Sequence, residues 1–166
     1  YPKVNVSLHQ GSPDQVARMV MDEVAEIGIA TESLADYPDL VTLPCYEWQH
    51  VLVLPKDHPL AEKERVSLED LAHEPIITYH PSFTGRTRID HAFANKKLTP
   101  RIALEAIDSD VIKTYVRLGL GVGIVAEMAV RDDSNADLVV RPMGHVFGQN
   151  IARVAFKRSA YLRNFV

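Results

Sequence analysis

The chain has 166 residues, 46% of them apolar and 24% charged, and 18 Lys and Arg against 22 Asp and Glu give a net charge of −4. Such a balance belongs to a folded globular protein of one ordinary domain or two small lobes, burying roughly 70% of its unfolded surface. It excludes an internal disulfide framework, since Cys45 stands alone, and nucleic-acid binding by this piece unaided, since the charge is negative. Every apolar run, Ala25 to Ala30 with its break among them, is far short of the ~20 residues that span a bilayer. The first residues, Tyr1-Pro2, offer neither an initiator methionine nor a signal peptide, so an excised module is expected.

Strand-like and helical runs alternate along the chain, without repeats or low-complexity stretches. Val4, Val6 and Leu8 alternate with polar residues and predict a strand. Val16, Met19 and Val20 share one helical face, and Ile27-Gly28-Ile29-Ala30 predicts a second, buried strand. A long β-rich segment runs from Leu40 to Leu54 and ends at the turn Pro55-Lys56-Asp57-His58-Pro59. Ser67 to Ala72 predicts a short helix, Pro75 to Tyr79 a strand and Arg86 to Lys96 a helix. Arg101 to Ile107 predicts a strand, Asp110 to Leu118 a helix, and Gly123 to Ala126, Leu138 to Arg141 and Asn150 to Lys157 the closing strands. The alternation implies an α/β fold with a largely parallel sheet. The pattern restarts after the Pro59 to Glu74 region, which predicts two lobes: residues 1–73 with about 152–166, and about 74–151.

The sharpest local signal is Gly11-Ser12-Pro13-Asp14-Gln15. Ser12 suits an N-cap, Pro13 the first helical position, and Gln15 completes a capping box. The same pattern serves a merely well-capped helix or an anion site on orphan N–H groups. Comparable junctions follow the other strands: Thr31 after Ile27 to Ala30, Phe83-Thr84-Gly85-Arg86 after Tyr79, and Asp108-Ser109-Asp110 after Ile107, with Thr114 one turn inside. In open α/β sheets ligands bind beyond the carboxyl ends of strands. Ser12, Asp14, Gln15, Thr31, Thr84 and Thr114 are therefore the candidate binding residues for a small polar or anionic ligand. The hydroxyls and amides among them are neutral groups that bind and supply no general base.

No catalytic residue, metal or cofactor is expected. There is no Gly-x-Ser-x-Gly elbow, and histidines 9, 50, 58, 73, 80, 91 and 145 pair with no cysteine or carboxylate at zinc-ligand spacing. His58 reads as a turn residue and Cys45 as core packing. Gly119-Leu120-Gly121-Val122-Gly123 follows a helix and precedes a strand, the reverse of a dinucleotide loop, so it reads as a helix C-cap. Arg153, Lys157, Arg158 and Arg163 read as a solvated face.

Three segments carry a family resemblance: His9-Gln10-Gly11-Ser12-Pro13, Pro55-Lys56-Asp57-His58-Pro59-Leu60-Ala61, and Asp108 through Gly121. They resemble the effector-binding domain of LysR-type transcriptional regulators. Ile77-Thr78-Tyr79 followed by Phe83-Thr84-Gly85-Arg86 resembles the CysB and Cbl branch in particular. The resemblance implies two lobes of the type 2 periplasmic-binding-protein kind around an effector cleft. It further implies a cytoplasmic, allosteric domain of a regulator of sulfur assimilation and cysteine biosynthesis, working as a homodimer or homotetramer. DNA would be bound through an N-terminal winged helix-turn-helix that lies outside this chain, and no membrane is involved. The implied effectors are acetylserines, sulfate, thiosulfate or adenosine phosphosulfate, with Ser12, Gln15 and Thr114 at the anion-contacting positions. Asp14 departs from the hydroxyl common at its position: either it turns outward, or the effector brings a positive group of its own, as an amino acid does. An exported solute-binding protein of the same fold is the alternative.

Overall fold

The structure, a computed structural model, describes residues 2–131 and 135–161. The chain divides into two compact units, Tyr1–Tyr46 with Ile151–Val166, and Glu47–Asn150. Two strands, β2 (Leu40–Pro55) and β7 (Gln149–Lys157), contribute residues to both.

The first unit also holds α1 (Pro13–Met21), β1 (Gly28–Ala30) and a 3-10 turn over Glu32–Asp36. β1 runs antiparallel to β7, with Gly28 opposite Ala155 and Ala30 opposite Arg153, and β7 lies between β1 and β2. α1 buries Ala17 and Val20 against Leu34, Leu40 and Ala155. The alternating run Val4 to Leu8 is not a strand. It makes no ladder, so alternation alone does not create one; a strand needs a neighbour for its N–H and C=O groups. Ile29 of β1 is exposed rather than buried, and Cys45 is exposed rather than in the core, because β2 packs at Leu40 and again from Trp48, and Leu43 to Glu47 between them face water.

In the second unit β3 (Pro75–Tyr79), β4 (Arg101–Ala106) and β5 (Val122–Ala126) are parallel, in the order β5, β3, β4. β2 is antiparallel to β5 on one side and to β6 (Leu138–Pro142) on the other. The sheet is therefore mixed, not largely parallel. Helical crossovers, α3 (Thr84–Asn95) and α4 (Ser109–Arg117), join only β3, β4 and β5, and such crossovers impose parallel pairing. β2 enters without one.

The apolar run Val51 to Leu54 shows why both faces are filled. Leu52 and Leu54 point into a core with Ile89 and Phe93 of α3, while Val51 and Val53 point into another with Ile112 and Val116 of α4. A strand buried on both faces reads as a continuous apolar run. It also explains the first departure from the expected lobes: residues 47–73 belong to the second unit, because Leu52, Leu60, Leu68 and Leu71 share its core. The return to the first unit falls at Ile151, beside the expected 152. Two further short elements, the 3-10 turn Glu127–Val130 and α5 (Gly144–Phe147), were not signalled by periodicity, being only one turn long.

Local caps follow their residues. His58 is a turn residue, its Nδ1 accepting the Leu60 N–H at 3.2 Å before a 3-10 turn over Pro59–Glu62. Gly119 (φ 74°) ends α4: the Gly119 N–H reaches the Val116 carbonyl at 2.9 Å and the Leu120 N–H the Tyr115 carbonyl at 3.2 Å, a Schellman pair. Of the basic residues near the end, Arg153 donates to Thr42, Lys157 pairs with Glu23, and Arg158 donates to the Pro38 carbonyl, so these side chains tie the first unit together. Arg163 lies outside the described residues. Among the described residues no helix is long and apolar enough to cross a membrane.

α2 (Leu68–Leu71) supplies a test by pH. Asp70 accepts from Lys63 Nζ at 2.6 Å and from the Ser67 N–H at 3.0 Å, closing a capping box with Ser67. The Lys63 hydrogen bond first, and the Ser67 N–H next, hold the Asp70 carboxyl below its ordinary 3.8. A lowered value means the stabilisation is present above the unfolded pKa and is lost as pH falls through the folded one. Asp70→Asn should therefore cost about 1 kcal/mol at pH 7 in urea unfolding. The gap to wild type should close as pH drops below 3.8; a gap of constant size down the acid limb would refute it.

Candidate functional site

The candidate residues fall into two sets. Ser12, Asp14, Gln15 and Thr31 lie in the first unit; Thr84 and Thr114 lie in the second.

At α1 the capping box forms as its residues require. Ser12 is extended (φ −64°, ψ 161°), Gln15 Oε1 accepts the Ser12 N–H at 2.8 Å, and Ser12 Oγ accepts the Gln15 N–H at 3.4 Å. Pro13 has no N–H, and the Val16 N–H goes to the Ser12 carbonyl. The box thus uses up most of the first-turn donors. The Ser12 hydroxyl proton and the Asp14 N–H have no acceptor among the described residues. Gly11 is tight here, since a Cβ would meet Gln15 Cβ and Oε1 at 2.9 Å. No strand precedes Ser12, so this junction, unlike the others, is not the carboxyl end of a strand.

Asp14 does not stand alone. The Tyr37 hydroxyl, from just beyond the Glu32–Asp36 turn, donates to Asp14 Oδ1 at 3.0 Å. That bond to Asp14, more than desolvation, raises the Tyr37 pKa. Nothing in the local sequence signals this partner, which lies 23 residues away. Thr31 occupies the N-cap position of the 3-10 turn without capping it; its hydroxyl lies 3.3 Å from Ser33 Oγ.

In the second unit Thr84 is the first residue of α3 rather than its cap, a position taken by Phe83. Gly85 is buried against β2, where a Cβ would come within 2.9 Å of His50 Nε2. His50 itself is fully buried, edge-on to Trp48 and Phe147 at 5.1 and 5.6 Å. At α4 the expected acidic cap is present, with Asp108 Oδ1 accepting the Asp110 N–H at 2.6 Å. Ser109 instead shares a 2.7 Å hydrogen bond with the Tyr79 hydroxyl, which accepts the Ala126 N–H at 3.0 Å. Burial raises the Tyr79 pKa, against the opposing pull of these two bonds. Buried Lys113 binds the Ala129 carbonyl at 2.7 Å and Asp110 at 2.8 Å, and its hydrogen bond lowers the Asp110 pKa. Thr114 is exposed, but its hydroxyl donates to the Asp110 carbonyl at 2.8 Å, one turn back in its own helix. It can accept from a ligand as it stands and must rotate to donate.

The arrangement offers hydroxyls, one backbone N–H and a carboxylate. Among the described residues no cluster of His, Cys, Asp or Glu is placed to hold a metal ion.

Residues 1–165 match the family model described as the LysR substrate binding domain. The chain is 55% identical over 166 residues to the HTH-type transcriptional regulator CysB of Burkholderia cenocepacia, covering all of this chain and 53% of that protein. It is 48% identical over 165 residues to the HTH-type transcriptional regulator SsuR of the same species, covering 99% of this chain and 54% of that one. The chain thus spans about half the length of the curated relatives it matches. The crystal structure of the cofactor-binding domain of the Cbl transcriptional regulator superposes with a TM-score of 0.92 at 43% identity, over 99% of this chain and 72% of that one.

Proposed function

This chain belongs to the LysR substrate binding domain family, and from that premise we propose that it is the effector-sensing part of a cytoplasmic transcriptional regulator of sulfur assimilation and cysteine biosynthesis. Its effector is a small anionic or zwitterionic sulfur-pathway metabolite. The observation that carries the binding reading is the start of α1. There the capping box leaves the Ser12 hydroxyl and the Asp14 N–H as donors at the positive end of a nine-residue helix.

The carboxylate of Asp14 sharpens the ligand class. Tyr37 ties it to the first unit and does not neutralise it. A bare dianion at Ser12 would meet that charge, whereas an amino acid brings an ammonium group to face it. Of the effectors considered, an acetylserine with a free amino group fits best. Thr84 and Thr114 serve the same effector from the second unit in this proposal. Binding acts by differential affinity for two arrangements of the protein, relayed through dimer or tetramer contacts to a DNA-binding domain elsewhere in the polypeptide. The relatives with CysB- and SsuR-type names are called transcriptional regulators, which favours this reading over a transport binding protein.

Calorimetric titration with O-acetylserine, N-acetylserine, sulfate, thiosulfate and adenosine phosphosulfate tests it. Ser12→Ala and Thr114→Ala should each weaken the effector by about 1–2 kcal/mol, the worth of a hydrogen bond to a charged group. Silence from all five ligands at millimolar concentration rejects the effector class. Unchanged affinity in both variants puts the ligand elsewhere.

A further inference from the structure

The second unit holds a cavity that the effector reading leaves unused. It measures about 350 Å³ and lies where the start of α2, the end of α3 and α5 meet, with Val66, Leu68, Lys96 and Val146 among its walls. Those walls come from separate parts of the chain and are tied to one another. His145 of α5 donates from Nε2 to the Val66 carbonyl at 3.0 Å, since a carbonyl only accepts. Lys96, the C-cap of α3, pairs with Glu69 of α2 at 3.3 Å. The capping box of Ser67 and Asp70, with Lys63 on Asp70, fixes the turn between them.

The lining divides into an apolar floor and a cationic rim. Val66 and Leu68 belong to the buried core and Val146 packs against it, so a ligand lying on them must be apolar there. On the rim stand Arg65 and Lys96 against Glu69 alone. Lys96 answers Glu69, and Arg65 has neither hydrogen bond nor ion pair among the described residues, so one guanidinium charge is left over. An inorganic anion meets that charge and leaves the floor wet; a neutral apolar molecule does the reverse. We propose that this cavity is a second binding site, for a small organic carboxylate. Its apolar body covers Val66, Leu68 and Val146, and its carboxylate meets the Arg65 fork. The volume equals about a dozen waters of bulk liquid, room for an acid with one ring or a short chain. His145 holds a wall in place and supplies no charge in this account. No residue is shared with the candidate set at Ser12, Thr31, Thr84 and Thr114, so this inference and the effector reading can fail independently.

Amide chemical shifts, followed through titrations with phenylacetate, its neutral counterpart phenylacetamide and inorganic sulfate, test the site. Phenylacetate should move the amides of residues 65–69, 96, 145 and 146 and saturate in the millimolar range. Phenylacetamide and sulfate should each bind about tenfold more weakly, the worth of one charge-assisted contact or of the apolar floor. Arg65→Gln, which removes an exposed side chain with no bond to break, should abolish the preference for phenylacetate over phenylacetamide. Ser12→Ala should leave the phenylacetate titration unchanged. Sulfate binding as tightly as phenylacetate would reduce the site to surface charge and overturn the proposal. So would an Arg65→Gln variant that keeps the full preference, shifts confined to residues 12–15, 84 and 114, or no saturation anywhere in the millimolar range.

Discussion

Replacing Arg86 by methionine should lower the stability of the second unit by about 2–4 kcal/mol, through lost charge-assisted hydrogen bonds and one stranded buried carbonyl. The guanidinium sits where α3 starts, nine-tenths buried, and joins three elements. Nε donates to Asp90 at 2.8 Å, and Nη1 donates to the Tyr79 carbonyl at 3.0 Å and to Glu105 at 2.6 Å. Burial works against the charge, yet the bonds from Asp90 and Glu105 outweigh it and raise the Arg86 pKa. Methionine keeps the apolar stem and removes the fork. Asp90 and Glu105, at 42% and 35% exposure, then turn to water, so their own share is small. The Tyr79 carbonyl has no such escape. Arg86→Lys keeps the charge with a single head group and should recover only part of the loss. Urea unfolding followed by Trp48, the chain's one tryptophan and a buried residue of the same unit, reads both variants. A loss below about 0.5 kcal/mol in Arg86→Met, the range of ordinary surface changes, would refute this account.

Gly121→Ala should cost about 3 kcal/mol, the upper range for forcing an atom into filled space. A Cβ at Gly121 would overlap the backbone oxygen of Pro75, and a main-chain carbonyl cannot rotate away as a side chain can. β5 begins one residue later beside β3, so any shift to relieve the overlap disturbs the pairing of Ile76 with Val122. Gly119 provides the control. Its φ of 74° disfavours a side chain, but a Cβ there meets nothing within 4 Å. Gly119→Ala should therefore cost only the left-handed penalty, about 1 kcal/mol. The ratio between the two variants is the test, read in the same unfolding assay. Equal losses would mean that conformation, and not the Pro75 contact, is what Gly121 provides.

These two glycines also mark how far the chain can be read without its fold. Gly119 follows an amphipathic helix directly, so its role as a C-cap is legible from neighbours a few positions away. Gly121 lies against Pro75, 46 positions back, and nothing near it in sequence says so. The candidate site divides in the same way. Ser12, Pro13 and Gln15 announce the capping box because its bonds span three residues. Tyr37 holding Asp14, and Thr114 spending its proton on Asp110, depend on where each side chain comes to rest.

The sequence by itself determined the local elements and the family. Pro75–Tyr79 is a strand at its expected limits, α4 differs from expectation by one residue at each end, and the segments carrying the LysR resemblance lie within the matched family. Periodicity, caps and turns are set by interactions within one or two helical turns, so they survive being read as text. The tertiary structure alone decided what depends on partners distant along the chain. It assigned residues 47–73 to the second unit, set β2 antiparallel in a sheet expected to be parallel, put Cys45 on the surface and left Val4 to Leu8 without a ladder. The physical reason is the same in each case. A side chain's pattern states which face wants burial, but only the neighbouring strand or helix determines whether that burial and its hydrogen bonds are made.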